Sequence, residues 1–306
     1  MTMKPSGDAS WIPEVSSGIS TDWVEANGLT FEVATAGEGD HLALMLHGFP
    51  ELHYSWRHQM PLLAQMGYRV WAPNMRGYGA TSRPEGTGAY RLRTLAEDVA
   101  ALIDASGAGE VTLIAHDWGA IVAWYFAILE IRPLAQLVIM NVPHPRCARR
   151  EARHWRQLRK SWYIFFFQLP WFPEAVLGRD GAAPIGKLFA DTTVNSHLFD
   201  NTVREMYRAA AARPGALSAM FNYYRALLRR PDARDVGRGL VKVPTLIVWG
   251  EQDLAIDIHC IDGTEDYVPD LTVRRLPDAS HWVQQDAPEE VNAILKHWLP
   301  IVRSVL

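Results

Sequence analysis

Residues 111–124 read VTLIAHDWGAIVAW, an apolar run that breaks at Ala115-His116-Asp117-Trp118-Gly119 before an apolar helical pattern resumes at Ile121. Strand, sharp turn and helix form the frame in which a G-x-S-x-G motif exposes a nucleophilic serine. The small residues that such a turn needs are present, but no G-x-S-x-G occurs in the chain. Asp117 is then either a plain helix N-cap or a nucleophile. A carboxylate with an ordinary pKa of about 4 is already ionised at neutral pH. It can displace a strained or stable leaving group from saturated carbon and so become an ester. Releasing it again takes water and a base.

Candidates for that second half lie at other strand ends. Leu271–Leu276 is followed by PDASHW, containing His281, whose ordinary pKa of about 6.5 suits a general base. Thr245–Trp249 ends in GEQD, so Asp253 is the acid that would orient the imidazole, with Glu251 its nearby competitor. Asn141, after the preceding strand, carries no charge for that role. Leu42–Leu46 ends in HGFPE, residues 47–51. The chain order nucleophile, acid, histidine is that of the triad of a parallel-sheet hydrolase.

The elements that must bring these residues together are legible as an alternation. Apolar runs at Leu42–Leu46, Arg69–Ala72, Val111–Ala115, Leu137–Met140, Thr245–Trp249 and Leu271–Leu276 predict buried strands. Helical stretches at Trp56–Met66, Leu95–Ala105 and Ala120–Ile131 separate the early ones. A hairpin is expected around Asn27-Gly28, which suits a type I′ turn. Strands alternating with helices imply a mostly parallel sheet covered on both faces. In such a sheet ligands bind beyond the carboxyl ends of the strands, where the polar residues fall. Between about Pro145 and Asp235 the alternation stops. That stretch, rich in Trp, Phe, Tyr and Arg, reads as a helical insertion.

The stretches HGFPELHYSWR, MRGYG, AHDWG, WYIFFFQLP, NYYR, GEQD and DASHW, spread from about Trp23 to Leu299, resemble the epoxide hydrolases of the α/β-hydrolase fold. The resemblance implies an eight-stranded, mostly parallel sheet flanked by helices. It divides the chain into an N-terminal arm (1–20), a core (21–145 and 236–306) and a helical cap (146–235). It further implies an epoxide opened to a vicinal diol, with Asp117 as nucleophile, His281 as base and Asp253 as orienter. The backbone N–H groups of Phe49 and Trp118 are the implied oxyanion donors. Tyr163 from WYIFFFQLP and Tyr224 from NYYR are the implied acids, Tyr223 being the neighbour less suited. His47, Phe167 and Trp282 are expected to touch substrate. The chemistry implies no cofactor and no metal. Asn74 in NMRGYG departs from the pattern, where Asp is commoner.

Related chemistries use the same nucleophile. A haloalkane dehalogenase is the alternative, but Phe49 replaces an amide one subgroup uses to hold halide; Trp162 or Trp171 could serve the other subgroup. Trp118 in place of Arg argues against fluoroacetate-type dehalogenases. A catalytically idle binding protein of this fold would be expected to lack part of the triad, and this chain lacks none.

Composition sets wider bounds. Nearly half of the 306 residues are apolar and the net charge is −4, so a large core is affordable and no nucleic-acid partner is indicated. No apolar run reaches a membrane span and the first ten residues lack a signal-peptide pattern, so a cytoplasmic monomer or homodimer without a membrane partner is expected. Cys147 and Cys260 are far apart in sequence and suggest no disulfide, and His144, Cys147 and His154 do not match zinc spacing. The run RCARREARHWRQLRK, with seven Lys or Arg, reads as a solvated helix face, and Phe165–Phe167 as cap packing of which part lines an apolar pocket.

Overall fold

A computed structural model describes residues 18–229 and 239–302. The arm expected over residues 1–20 lies, up to residue 17, outside the described residues, and its last residue already belongs to a strand. Eight strands form one sheet: β1 (Ser20–Ala26), β2 (Leu29–Ala36), β3 (His41–Leu46), β4 (Arg69–Pro73), β5 (Glu110–His116), β6 (Gln136–Met140), β7 (Thr245–Gly250) and β8 (Leu271–Leu276). Their order is β1-β2-β4-β3-β5-β6-β7-β8. The first hairpin and the β2–β4 pair are antiparallel, and every pair from β4 to β8 is parallel. Asn27 and Gly28 both take positive φ, 47° and 72°, which is the I′ turn the dipeptide favours.

The central strands are apolar on both sides because both sides are covered. In β3, Leu42, Leu44 and Leu46 join the core on one face, while Ala43 and Met45 join that on the other. β7 repeats the alternation with Ile247 and Trp249 against Leu246 and Val248. One face is packed by α2 (Leu92–Ser106) and α3 (Asp117–Ile128), the other by α1 (Met60–Gln65), α10 (Val283–Asp286) and α11 (Pro288–Trp298). Each fully buried Leu or Ile contributes about 1.5–3 kcal/mol relative to exposure. The central strands are therefore the rigid part on which the loops beyond them rest.

The helix expected over Trp56–Met66 is shorter than the sequence pattern suggests. A 3₁₀ turn occupies His53–Trp56 and α1 starts only at Met60, with Pro61 in its first turn. Proline lacks an N–H and its ring clashes with the carbonyl four residues back, so it cannot continue a helix through that point. At the other end of the sequence pattern, α3 stops at Ile128 and Glu130 turns to positive φ, short of the expected Ile131.

Between β6 and β7 run α4 (Pro145–Glu151), α5 (Trp155–Lys160), α6 (Trp162–Phe166), α7 (Phe172–Thr192), α8 (Asn201–Ala211) and α9 (Ala216–Arg229), with no strand among the described residues. α7 is broken at Arg179–Ala182, where the backbone leaves helical geometry. Buried residues of this insertion, including Phe167, Phe189, Tyr207 and Phe221, join the same core as α2 and α3. α3 therefore lies between sheet and insertion, which is why it is apolar on nearly every side.

Candidate active site

Asp117 follows the last residue of β5 and opens α3 with φ at 45°, a left-handed conformation that a short polar side chain tolerates better than most. The turn is tight. A Cβ on Gly119 would lie 2.4 Å from the Leu46 carbonyl oxygen, and one on Gly48 would lie 2.3 Å from the Asp117 carboxylate. Glycine at both places lets the two loops close around the acid. The Phe49 amide donates to Asp117 Oδ1 at 2.6 Å. Trp118, the other expected donor, is the next residue in the first turn of α3, where backbone N–H groups lack intrahelical partners. Burial alone would raise the Asp117 pKa, but His281, His116 and the Phe49 amide outweigh it and hold the carboxyl below its ordinary value.

His281 stands between two acids. Its Nδ1 donates to Asp253 Oδ2 at 2.7 Å and its Nε2 lies 3.5 Å from Asp117 Oδ2. Burial works to lower its pKa, yet the two carboxylates prevail and raise it to about 10. At neutral pH the imidazole is therefore a cation while Asp117 is ionised. Glu251, the competing acid, faces outward and accepts from Arg275 at 2.6 Å. In Asp253, Oδ1 accepts the N–H groups of Ala255 (2.7 Å) and Ile256 (2.8 Å). Against burial, these contacts and His281 keep Asp253 below its ordinary pKa.

The sign of the His281 shift gives a direct test. Followed by NMR, its imidazole is expected to titrate near 10 in the intact protein. In Asp117→Asn one of the two raising carboxylates is gone, so the midpoint must move down toward the ordinary value. A midpoint already at the ordinary value in the intact protein would contradict this arrangement.

Several supporting residues escaped the sequence reading. Asn141, set aside there for want of charge, donates from Nδ2 to Asp253 Oδ2 (2.8 Å) and to the Gly250 carbonyl, while its Oδ1 accepts the Gly250 N–H. It holds the acid rather than replacing it. His116 donates from Nε2 to the His281 carbonyl (2.8 Å), and its Nδ1 lies 2.7 Å from Glu51 Oε2. Glu51 also accepts from the side-chain amides of Gln284 and Gln285. A buried polar chain thus ties the HGFPE loop to the backbone of the histidine. Asn74 donates to Glu32 and accepts the His53 N–H, a dual role that an ionised aspartate could not fill beside Glu32.

A cavity of about 770 Å³ opens on Asp117 and His281, of a size suited to a small molecule. Phe49, Phe167 and Trp282 line it from the core and insertion. Tyr163 on α6 and Tyr224 on α9 line it too, their rings 6.0 Å apart. Burial, with the Asp117 charge next, drives both phenol pKa values upward, so both are protonated. Tyr223 is turned away, its hydroxyl donating to the Arg76 carbonyl at 2.7 Å.

One expectation needs correction. His47 does not reach the cavity: its ring is fully buried, Nε2 accepts the Met75 N–H (3.0 Å), and Nδ1 donates to the adjacent Gly48 carbonyl. Its backbone shapes the loop while its side chain stays with that loop. In Phe165–Phe167, Phe167 is buried, Phe166 and Phe167 line the cavity, and Phe165 faces solvent.

The family described as alpha/beta hydrolase fold matches residues 44–288. The chain is 36% identical to the AB hydrolase superfamily protein YfhM of Bacillus subtilis, covering 92% of this chain and 98% of that one. It is 37% identical to epoxide hydrolase 4 of Homo sapiens over 89% of this chain and 76% of that one. Among solved structures, an epoxide hydrolase of Bacillus megaterium in complex with an inhibitor superimposes with a TM-score of 0.83 at 31% identity. The match covers 90% of this chain and 99% of that one.

Proposed function

The chain belongs to the epoxide hydrolases of the α/β-hydrolase fold, and we propose that it converts an apolar epoxide to a vicinal diol through a covalent ester on Asp117. The observation that supports this most is the shared cavity. An ionised carboxylate, a histidine held by a second acid, and two protonated phenols all face one largely aromatic and aliphatic space. In this reading residues 146–235 act as a cap over a core formed by 21–145 and 236–306.

In the first half-reaction an Asp117 oxygen attacks an epoxide carbon from behind as the carbon–oxygen bond breaks. The departing oxygen becomes an alkoxide, a strong base that stays on the substrate. Tyr163 and Tyr224 hydrogen-bond it and supply the proton. The charge of Asp117, which adds to burial in raising both phenol pKa values, disappears as the ester forms. Proton donation therefore becomes easier at the moment it is required. The proton carried by His281 restores the phenol, leaving the imidazole neutral.

The second half-reaction uses that neutral imidazole. With Asp117 esterified, only Asp253 still raises the His281 pKa, so its Nε2 can take a proton from water. The hydroxide adds to the ester carbonyl, and the Phe49 and Trp118 amides receive the developing negative charge. Each such donor is worth about 3 kcal/mol of barrier. Collapse expels the diol as its proton returns from His281. The last proton passes from the Asp117 carboxyl to the imidazole, and the ion pair re-forms.

A halide leaving group would need N–H donors in place of an acid. Trp118 does not line the cavity among the described residues; its ring packs edge-on against Tyr223 and Tyr224 at 5.3 and 4.9 Å. Trp162 does line it, but sits 64% exposed. Incubation with an aryl epoxide and with a 1-haloalkane, following diol and halide, separates the two chemistries. Diol formation is expected; halide without diol would overturn the assignment.

A further inference from the structure

The stretch from Trp155 to Phe172 turns its largest apolar side chains outward. Trp155 and Trp171 are 66% and 72% exposed, and Leu158, Trp162, Phe165, Leu169 and Phe172 are exposed with them. Trp155 and Leu158 in α5, and Trp162 and Phe165 in α6, are each three residues apart, the spacing of one face of each helix, and Leu169, Trp171 and Phe172 follow at the turn into α7. Ring contacts join part of this surface: Trp162 to Phe166 at 6.0 Å, Phe166 to Phe172 at 5.9 Å, and Phe172 to Trp171 at 6.0 Å. A run of exposed aromatic and aliphatic side chains of this extent marks a contact site.

Its charge says what kind of contact. Residues 152–173 contain no Asp or Glu, although the whole chain is net negative. Arg149, Arg153, Arg156 and Arg159 are exposed on and beside α5, and the Arg159 guanidinium lies 5.0 Å from the Trp155 ring. The ion pairs of the segment involve Arg150, His154 and Lys160. Arg153, Arg156 and Arg159 have no carboxylate partner among the described residues. Tryptophan and phenylalanine flanked by unpaired arginine suit the boundary between lipid headgroups and acyl chains.

We propose that the exposed aromatic and arginine face of α5, α6 and the start of α7 is a docking surface for an anionic lipid bilayer. The aromatic rings enter the interface and the guanidinium groups meet the phosphates. Docking a second copy through the same face would set one arginine row against another with no acid between them, so like charges would oppose the contact. The expectation of no membrane partner rested on the lack of a spanning segment. Among the described residues no helix is long and apolar enough to cross a bilayer, and surface docking requires none. Trp162 and Phe166 belong to this face and also line the cavity, so the mouth opens toward the lipid. An apolar substrate dissolved in the bilayer could then reach the cavity without crossing water. Docking itself does not depend on the catalytic assignment, because vesicle binding is measured without turnover.

The test is co-sedimentation of the full chain with vesicles of phosphatidylcholine alone and of equal parts phosphatidylcholine and phosphatidylglycerol. Binding to the anionic vesicles, weakened by salt, is expected. Arg153→Glu/Arg156→Glu/Arg159→Glu should lower that partition about a hundredfold or more. Trp155→Ser/Phe165→Ser/Trp171→Ser should lower it at least about tenfold. Both variants should keep normal turnover of a water-soluble epoxide and a normal thermal transition, which separates lost docking from lost folding. Absence of wild-type binding to anionic vesicles would overturn the proposal. Unchanged binding by both variants would also overturn it, placing the contact elsewhere. A solution dimer dissociated by both variants, without vesicle binding, would assign the face to a second copy and overturn it as well.

Discussion

His281→Gln is expected to stop the protein halfway, as an ester whose intact mass exceeds that of the free chain by one substrate. Attack by Asp117 on the epoxide needs the carboxylate and an acid, and glutamine removes neither. Water attack on the ester needs a base at the position of Nε2, 3.5 Å from Asp117 Oδ2 in the resting protein. Glutamine can hold a water there but cannot accept its proton. A positioned general base is typically worth about 10²–10⁴ in rate, and steady-state turnover should fall by that factor. The adduct should form in a burst and map to the peptide containing Asp117. Turnover lost with substrate still binding, and no adduct at any time, would count against a two-step reaction.

The second large effect is expected from Tyr163→Phe combined with Tyr224→Phe. Both phenols line the cavity, and both are kept protonated by burial and the Asp117 charge. Removing both hydroxyls leaves the epoxide oxygen to depart as an unprotonated alkoxide into an apolar space. Loss of general-acid assistance on that scale is worth about 10²–10⁴ in the ring-opening rate. Either single variant should be milder, because the remaining phenol still reaches the same oxygen. The rings themselves persist, including the Tyr224–Phe167 contact at 4.9 Å, so the thermal transition should hardly move. In contrast with His281→Gln, the double variant should accumulate no ester, since the block precedes it. Retained ring opening would show that the proton has another source.

These two variants probe opposite halves of the site, and they were legible in the sequence to different degrees. Asp117, Asp253 and His281 each follow a strand whose apolar run is unmistakable, and the sheet forces those ends together. Tyr163 and Tyr224 sit on helices of the insertion, where no pattern of spacing says which side faces the cavity. Adjacent residues on a helix point about 100° apart, so only one of Tyr223 and Tyr224 could serve. Resemblance favoured Tyr224, and the hydrogen bond from Tyr223 to the Arg76 carbonyl gives the physical reason.

What sequence could not supply was mostly support built from distant segments. Asn141 lacks the charge to replace an acid, and its amide instead donates to one. The Glu51–His116 contact joins residues 65 apart, and neither titrating group announces its partner. The motif that contains His47 lies at the site, but the ring turns back to the Gly48 carbonyl and the Met75 amide, which no spacing in the sequence reveals. The outward apolar residues of α5 and α6 have the helical spacing of any core-facing stripe. Periodicity identifies a face but not the direction in which that face points.

A single turnover in heavy-oxygen water, followed by digestion and mass analysis of both product and protein, is the most direct measurement of the central claim. Enzyme in excess over epoxide should release diol carrying an ordinary oxygen taken from Asp117, with the heavy isotope left in the peptide that spans residues 111–124. Heavy oxygen found in the diol, with that peptide unlabelled, would mean that water attacks the epoxide directly and that no ester forms.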